Sequence, residues 1–346
     1  MRESLRNKIV YIGPMGGGVV PTNGASIKNY YILERLKGLG YNIISVDTEK
    51  WRTNPFVLLK LLIVVFLRPL STYIISANSI STYRLLMLLN HISPQRDIIY
   101  WVIGGSIANW IKTGKVKKKV YRIVRLFIVE GDSMKRILGE CGFDNVITLP
   151  NFKKIDYIPI KPNRGNVLKF VFLSRIIEQK GCKYIIKATE ILNIKYKERF
   201  VVDFYGSIGD EYVTFLKDIS FISNMSYKGF LDLRSFQNYD ILSSYDVMLF
   251  PTFWEGEGFP GIMIDAFICG MPIIATDWNM NKDILQDGKT GFLVRPQNVE
   301  DLVAVMEKVI TVPTILDGMI TNCQKEAMNY HTNNVLNEGI IHHILY

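Results

Sequence analysis

Two carboxylates eight residues apart, Glu257 and Asp265, bracket the most chemically suggestive stretch of this 346-residue chain. Between them lie Gly258, Phe259, Pro260 and Gly261 and a short apolar run. An apolar segment ends at Phe250 and another begins at Pro272, so the spacing predicts a strand, a glycine-rich loop, a helix from about Gly261 and a second strand. Free amides at 258–261, at the positive end of a helix, suit a diphosphate. Asp265 falls about one turn into that helix, where a carboxylate can accept two ribose hydroxyls. Glu257 stays on the loop, able to hydrogen-bond a sugar. An acid on a loop is usually just solvated, but two acids flanking Gly-Phe-Pro-Gly at a strand–helix junction point to a site.

Two cations add to this. Arg175 and Lys180 follow the first apolar run of the second half of the chain. A guanidinium fork and an ammonium point charge at a strand–helix junction can clamp a diphosphate, and the alternative is a pair of surface cations. Near the amino end, Gly13 is followed by Pro14, Met15, Gly16, Gly17 and Gly18. Without Cβ atoms such a loop lets backbone amides approach a phosphate or sugar. Its spacing is not that of a dinucleotide fingerprint, Asp47 suits a dinucleotide ribose only loosely, and a tight structural turn is the competing reading.

The elements that must position these residues follow from the apolar patterning. Strands are expected at 8–12, 42–47, 73–76, 98–103, 126–129 and 146–149, then at 169–173, 201–205, 226–228, 247–250 and 272–275, with helices between, such as 25–39 and 79–91. Continuous apolar runs alternating with helices predict parallel sheets covered on both faces. The length favours two domains. We expect an α/β protein with two Rossmann-like doubly wound domains facing a central cleft: an acceptor-binding domain over 1–155, a nucleotide-sugar domain over 165–312, and helices over 313–346 that pack back toward the first domain. Hydrophobic residues make up 48% of the chain, which excludes a disordered polymer. Cys141, Cys182, Cys269 and Cys323 lie far apart, against a disulfide framework or a cysteine zinc site. The polar opening 1–7 gives no expectation of a secretory leader.

With these motifs in place, the chain resembles the retaining glycosyltransferases of family 4, bacterial polysaccharide type, which have the GT-B fold. Glu257 and Asp265 match the E-x7-E signature, with Asp where Glu is usual. Arg175 and Lys180 match the family's R-x4-K pair, Gly16–Gly18 its glycine loop, and the segment from Gly288 its later D-G-x-T-G-x-L stretch. The resemblance covers most of 165–310 and the first domain in outline. Where many relatives carry a histidine, residues 101–106 have none; His91, His331, His342 and His343 lie elsewhere. The resemblance implies transfer of a sugar from a nucleotide diphosphate, UDP-linked, with retention at the anomeric carbon. Arg175, Lys180 and the amides of 258–261 would stabilise the departing diphosphate, and Glu257 would orient the donor sugar. No Asp-x-Asp occurs, so neither a metal nor a cofactor beyond the donor is expected. With no clear covalent nucleophile, same-face displacement is favoured. Glu257→Ala is expected to lose transfer while folding normally.

The net charge of +9 is unevenly spread. Residues 1–160 carry +13 and the remainder −4. Lys112, Lys115, Lys117, Lys118, Lys119, Arg122 and Arg125 crowd an acid-free stretch whose apolar residues recur at helical spacing, which predicts an amphipathic helix or helix-to-strand segment with a basic outer face. Residues 56–67 are almost wholly apolar but too short to span a bilayer; they read as a buried or half-buried helix, or as one whose surface dips into a membrane. A solvated face is the plain reading of the cations. Together the two segments favour an anionic membrane, with Lys115, Lys118, Lys119 and Arg122 meeting it and a lipid-linked glycan acceptor presented at the cytoplasmic face of the plasma membrane. Nucleic acid is not expected as a partner, for want of a binding module. Competing readings are a non-catalytic nucleotide-sugar-binding protein and a nucleotide-sugar epimerase or phosphorylase of similar fold.

Overall fold

The computed structural model describes residues 8–19, 23–92 and 96–346; the polar opening 1–7 lies outside them. The chain divides into two compact units, one of residues 1–154 with 331–346 and the other of residues 155–330. The terminal segment therefore splits: residues 313–330 belong to the second unit and only the last sixteen to the first.

The first unit holds a sheet of β1 (Lys8–Gly13), β2 (Asn42–Asp47), β3 (Thr72–Ile75), β4 (Asp97–Trp101), β5 (Val124–Val129) and β6 (Val146–Thr148) in the order β2-β1-β3-β4-β5-β6. Every pairing is parallel. Its helices are α1 (Gly24–Gly38), α2 (Pro55–Leu67), α3 (Ser79–Ile92), α4 (Ile107–Lys112) and α5 (Asp132–Glu140). The second unit holds β7 (Leu168–Leu173), β8 (Phe200–Tyr205), β9 (Met225–Tyr227), β10 (Val247–Phe250), β11 (Ile273–Thr276) and β12 (Gly291–Val294) in the order β12-β11-β10-β7-β8-β9, again all parallel. Its helices are α6 (Cys182–Tyr196), α7 (Phe215–Ile219), α8 (Phe236–Ser243), α9 (Gly261–Ile268), α10 (Asn281–Ile284), α11 (Val299–Thr311) and α12 (Asp317–Asn329); α13 (Thr332–Val335) and α14 (Glu338–Leu345) return to the first unit. The second sheet has a sixth strand, β12, where five were expected.

Strands β3, β10 and β11 are buried along their whole length, as helices on both faces require. The second core is phenylalanine-rich, with Phe170, Phe172, Phe200, Phe204 and Phe215. The first is built from Tyr11, Ile32, Leu36, Trp101 and Ile128, completed by Leu336, Ile341 and Ile344 of the tail. Arg125 fastens that tail by donating to the Ile344 carbonyl at 2.8 Å. In each sheet the strand order reverses once, between β1 and β3 and between β7 and β10. Such switch points open a crevice at the carboxyl ends of the strands.

Two open expectations are resolved. The basic stretch is the helix-to-strand segment, not a single amphipathic helix. Helix α4 stops at Lys112, Gly114 adopts a φ of 75°, a short 3-10 turn covers Lys118–Ile123, and β5 begins at Val124. A left-handed glycine just past a helix end is a common stop. The outward cations and inward Val116, Val120 and Val124 survive because turn and strand keep the same sides. Helix α2 is half-buried: Leu61, Val64 and Val65 are buried, while Phe56, Phe66 and Leu67 are 74%, 64% and 70% exposed. Among the described residues no helix is long and apolar enough to cross a membrane.

Candidate functional site

The loops after β7 and β10 meet at the second switch point. Gly181 makes the approach possible: its φ is 84°, and a Cβ there would lie 2.2 Å from the Pro251 carbonyl oxygen. Phe253 N–H donates to the Gln179 carbonyl at 2.8 Å and ties the loops together. This closure brings Lys180 and Glu257 into a buried ion pair, each side chain 8% exposed. Thr252 Oγ1 donates to Glu257 at 2.9 Å. The Lys180 ammonium lies 4.9 Å from the Trp254 ring centre and 5.5 Å from that of Phe250. Arg175 is exposed, its guanidinium 5.8 Å from the same Trp254 ring. Arg175 and Lys180 thus share one aromatic plate, an arrangement of cations favoured by the ring quadrupole, and Glu257 joins them through Lys180.

Helix α9 opens at Gly261 without a side-chain cap, preceded by Pro260. Its first amides therefore have no side-chain acceptor and point toward the loop end of the site. Phe259 is buried, its ring 5.3 Å from that of Tyr330, so a ligand there would meet backbone at 258–261 rather than this side chain. Asp265 is 2% exposed and accepts from the Tyr239 hydroxyl at 2.5 Å, so that oxygen is already engaged.

Several members of this site carried no sequence signal. Asn279 has a φ of 47° and donates from Nδ2 to the Glu257 carbonyl at 3.1 Å, and Trp278 Nε1 donates to the Trp254 carbonyl at 2.9 Å. These hold the Glu257 loop in place from β11's side. Asparagine tolerates the left-handed region better than most residues, which is the one clue a sequence could offer here.

In the first unit, Gly16, Gly17 and Gly18 all have positive φ, of 99°, 63° and 88°. Asp47 organises this loop by accepting from Met15 N–H at 2.9 Å and Gly17 N–H at 2.8 Å. Its carboxylate is spent on loop geometry, which explains why it fits a ribose-binding role poorly. A second buried ion pair, Lys28–Glu130 at 2.5 Å, joins α1 to the carboxyl end of β5 and had no sequence signature. Of the basic cluster, Lys115 stacks on Trp110 at 4.3 Å, Lys118 lies 5.7 Å from the Phe143 ring and Lys112 pairs with Glu140, while Lys119 and Arg122 are exposed. Among the described residues no three carboxylate, thiol or imidazole groups converge closely enough to hold a metal ion.

The comparisons agree with this architecture. Anabaena HepE, solved in complex with UDP, superposes with a TM-score of 0.74 at 14% identity, covering 97% of this chain and 99% of that one. Sucrose-phosphate synthase from Thermosynechococcus elongatus gives 0.75 at 13% identity, covering 98% and 99%. Both show the GT-B fold of two parallel-sheet Rossmann-like domains. In sequence, a UDP-Gal:alpha-D-GlcNAc-diphosphoundecaprenol alpha-1,3-galactosyltransferase of Escherichia coli is 26% identical over 48% of this chain and 42% of its own length. The Staphylococcus aureus capsular polysaccharide biosynthesis glycosyltransferase CapM is 26% identical over 49% and 43%. The matches thus span less than half the length of these relatives. The sequence profile of the group 1 glycosyl transferases matches residues 154–326, half of the chain and nearly all of the unit that holds the Lys180–Glu257 pair, and the chain belongs to that family.

Proposed function

We propose that the protein is a retaining, metal-independent glycosyltransferase of family 4 that moves a sugar from a UDP-sugar to a lipid-linked glycan during surface polysaccharide synthesis. The observation that carries this reading is the convergence of Arg175, Lys180 and Glu257 at the β7/β10 switch point, beside the uncapped start of α9. Two relatives, a galactosyltransferase that uses UDP-Gal and a GlcNAc-diphosphoundecaprenol and a glycosyltransferase of capsular polysaccharide biosynthesis, support the choice of substrates.

The chemical difficulty is charge. As the bond from the anomeric carbon to the diphosphate oxygen breaks, negative charge grows on the leaving group and positive charge on the sugar. Arg175, Lys180 and the amides of 258–261 would meet the first with preorganised donors. Lys180 has three N–H donors and can hold Glu257 while it contacts a phosphate. Glu257, fixed by Lys180 and Thr252, would orient the sugar. The acceptor hydroxyl bonds to the anomeric carbon on the face the diphosphate leaves, and its proton passes to the departing phosphate oxygen. Asp265, buried and held by the Tyr239 hydroxyl, would have to turn from that contact to reach the ribose from α9. Gly16 and Gly18 would contribute backbone amides, with Gly17 held in place by Asp47, and the exposed apolar side of α2 with Lys115, Lys118, Lys119 and Arg122 would rest on an anionic membrane.

The test is incubation of the full chain with a panel of UDP-sugars and a lipid-linked acceptor, with and without chelator. The expected result is a product of retained anomeric configuration formed equally well in chelator. Saturable donor binding with no product under any pairing would overturn the transferase in favour of a binding protein, and strict metal dependence would overturn the mechanism.

A further inference from the structure

The first switch point carries a cavity that the donor chemistry does not use. It encloses about 100 Å³ at the carboxyl ends of β1 and β3, walled by Ile12, Ile75, Trp51, Leu58, Leu61 and Leu85. The residues Leu58 and Leu61 come from α2, and Leu85 from α3, so the cavity lies beneath the helix whose other side is exposed. Exposed Leu58, Leu88 and Arg84 also line it and mark its mouth. Lys50 lies next to this wall, and its stem covers the glycine loop: a Cβ added at Gly17 would come within 2.9 Å of Lys50 Cε.

Charge decides what such a cavity can take. Arg84 lines the mouth and Lys50 lies over the glycine loop, while the Asp47 carboxylate beside them is taken up by the amides of Met15 and Gly17. The walls are hydrocarbon, so a sugar placed there would leave its hydroxyls unpaired. An apolar chain loses nothing by entering, and an anionic head group would stay among the cations at the mouth, beside the glycine loop. The exposed Phe56, Leu59, Leu62, Ile63, Phe66 and Leu67 of α2 continue the apolar surface outward, as a chain drawn from a bilayer would require.

We propose that this cavity seats the hydrocarbon chain of an anionic lipid, the anchor of the acceptor. The inference rests on the lipid-linked acceptor of the preceding reading and deepens it: the enzyme would grip one lipid by its chain, beyond adsorbing to a charged surface.

The test uses the full chain and a series of octyl, decyl and dodecyl phosphates below their micelle-forming concentrations, with binding followed by calorimetry. The expected result is one saturable site whose affinity rises about fourfold for each methylene buried and then levels off once the cavity is full. The matching alcohols should bind at least about tenfold more weakly than the phosphates. Leu85→Trp, which fills the cavity, should weaken dodecyl phosphate at least about tenfold while UDP binding is unchanged. Affinity that climbs with chain length without a plateau, or the absence of a saturable site, overturns the proposal, and this series on the native chain decides even where Leu85→Trp does not fold. A folded Leu85→Trp that transfers sugar to a long-chain acceptor as well as the native chain also overturns it, leaving the transferase reading intact. Saturable chain binding with a plateau, in a protein that transfers no sugar, supports the cavity and sinks the transferase.

Discussion

The Lys180–Glu257 pair makes a prediction that separates stability from chemistry. Both side chains are 8% exposed, and Glu257 takes a further hydrogen bond from Thr252. Removing one partner leaves the other as an uncompensated buried charge, which costs about 3–5 kcal/mol. Glu257→Ala should therefore not fold as securely as the sequence suggested, and Lys180→Met should suffer similarly. Replacing both removes the charges together. A methionine at 180 keeps a soft contact with the Trp254 and Phe250 rings, so Lys180→Met/Glu257→Met should lie within about 1–2 kcal/mol of the native chain. With a urea slope of about 2 kcal/mol per molar, each single variant moves the midpoint down by about 1.5–2.5 M and the double variant by under about 1 M. Urea titrations read by tryptophan fluorescence, with Trp254 and Trp278 in the second unit and Trp51, Trp101 and Trp110 in the first, are fitted as a separate transition for each unit. Additive effects, with the double variant losing the sum of the singles, would refute the pair as a coupled buried unit. The double variant should still fail to transfer sugar, because neither the phosphate contact nor the sugar contact remains. Native-like turnover in it would remove both residues from the site.

Three further outcomes follow from single contacts. Gly181→Ala should lose at least about 2 kcal/mol in the same titration, since a left-handed φ of 84° and a Cβ 2.2 Å from the Pro251 oxygen are both unfavourable; an unmoved midpoint would contradict the loop closure. Burial pushes the Lys161 ammonium down to about 8. The unfolded chain then binds the extra proton between about pH 8 and 10.5, so this group by itself makes stability rise with pH there, by at most about 1.4 kcal/mol per pH unit, opposed from about pH 9 by deprotonation on unfolding of the Cys182 and Cys323 thiols, and higher still of buried tyrosines such as Tyr11. Lys161→Met should make the slope of stability against pH more negative than in the native chain in thermal melts taken from pH 7.5 to 9.5, and an unchanged slope would clear Lys161 of the effect. Burial also raises the Cys182 and Cys323 thiols to about 12, and Cys269 is fully enclosed, so iodoacetamide should label Cys141 alone in the native protein; rapid labelling of more than one thiol counts against this core.

How far the residues themselves disclosed this structure depended on the range of the interaction. Strands such as β3 and β10 were legible because a parallel strand covered on both faces must be apolar throughout. Strand β12 was passed over because its four residues open with Gly291 inside a stretch that reads as a turn. The basic stretch stayed open between a helix and a helix-to-strand segment for a related reason: apolar spacing alone does not distinguish a helix from a 3-10 turn leading into a strand, and Gly114 is the residue that breaks the period. At the site, Arg175, Lys180 and Glu257 were identifiable by type and position. Their pairing was not, since Lys180 and Glu257 are 77 residues apart and meet only through the β7/β10 switch. Tyr239 on Asp265, Thr252 on Glu257 and Asn279 under the loop are ordinary residues whose roles exist only after the chain has folded.

The two units also separate what topology decides from what side chains decide. Each sheet reverses its strand order once, and each reversal places its loops at the carboxyl ends of two non-consecutive strands. At β7 and β10 those loops deliver an ammonium, a guanidinium and a carboxylate around Trp254. At β1 and β3 the same geometry delivers Ile12, Ile75 and the inward side of α2, with glycine amides pinned by Asp47 alongside. Architecture alone therefore predicts a binding place in each unit and says nothing of the ligand. The contrast between a charge cluster around a buried ion pair in one and a hydrocarbon wall with Arg84 at its mouth in the other is the ground for proposing the polar donor in the second unit and an amphiphile in the first. Exchanging the linings tests the division: Leu61→Lys in the first unit should abolish chain binding and leave UDP binding intact, whereas Lys180→Met should do the reverse.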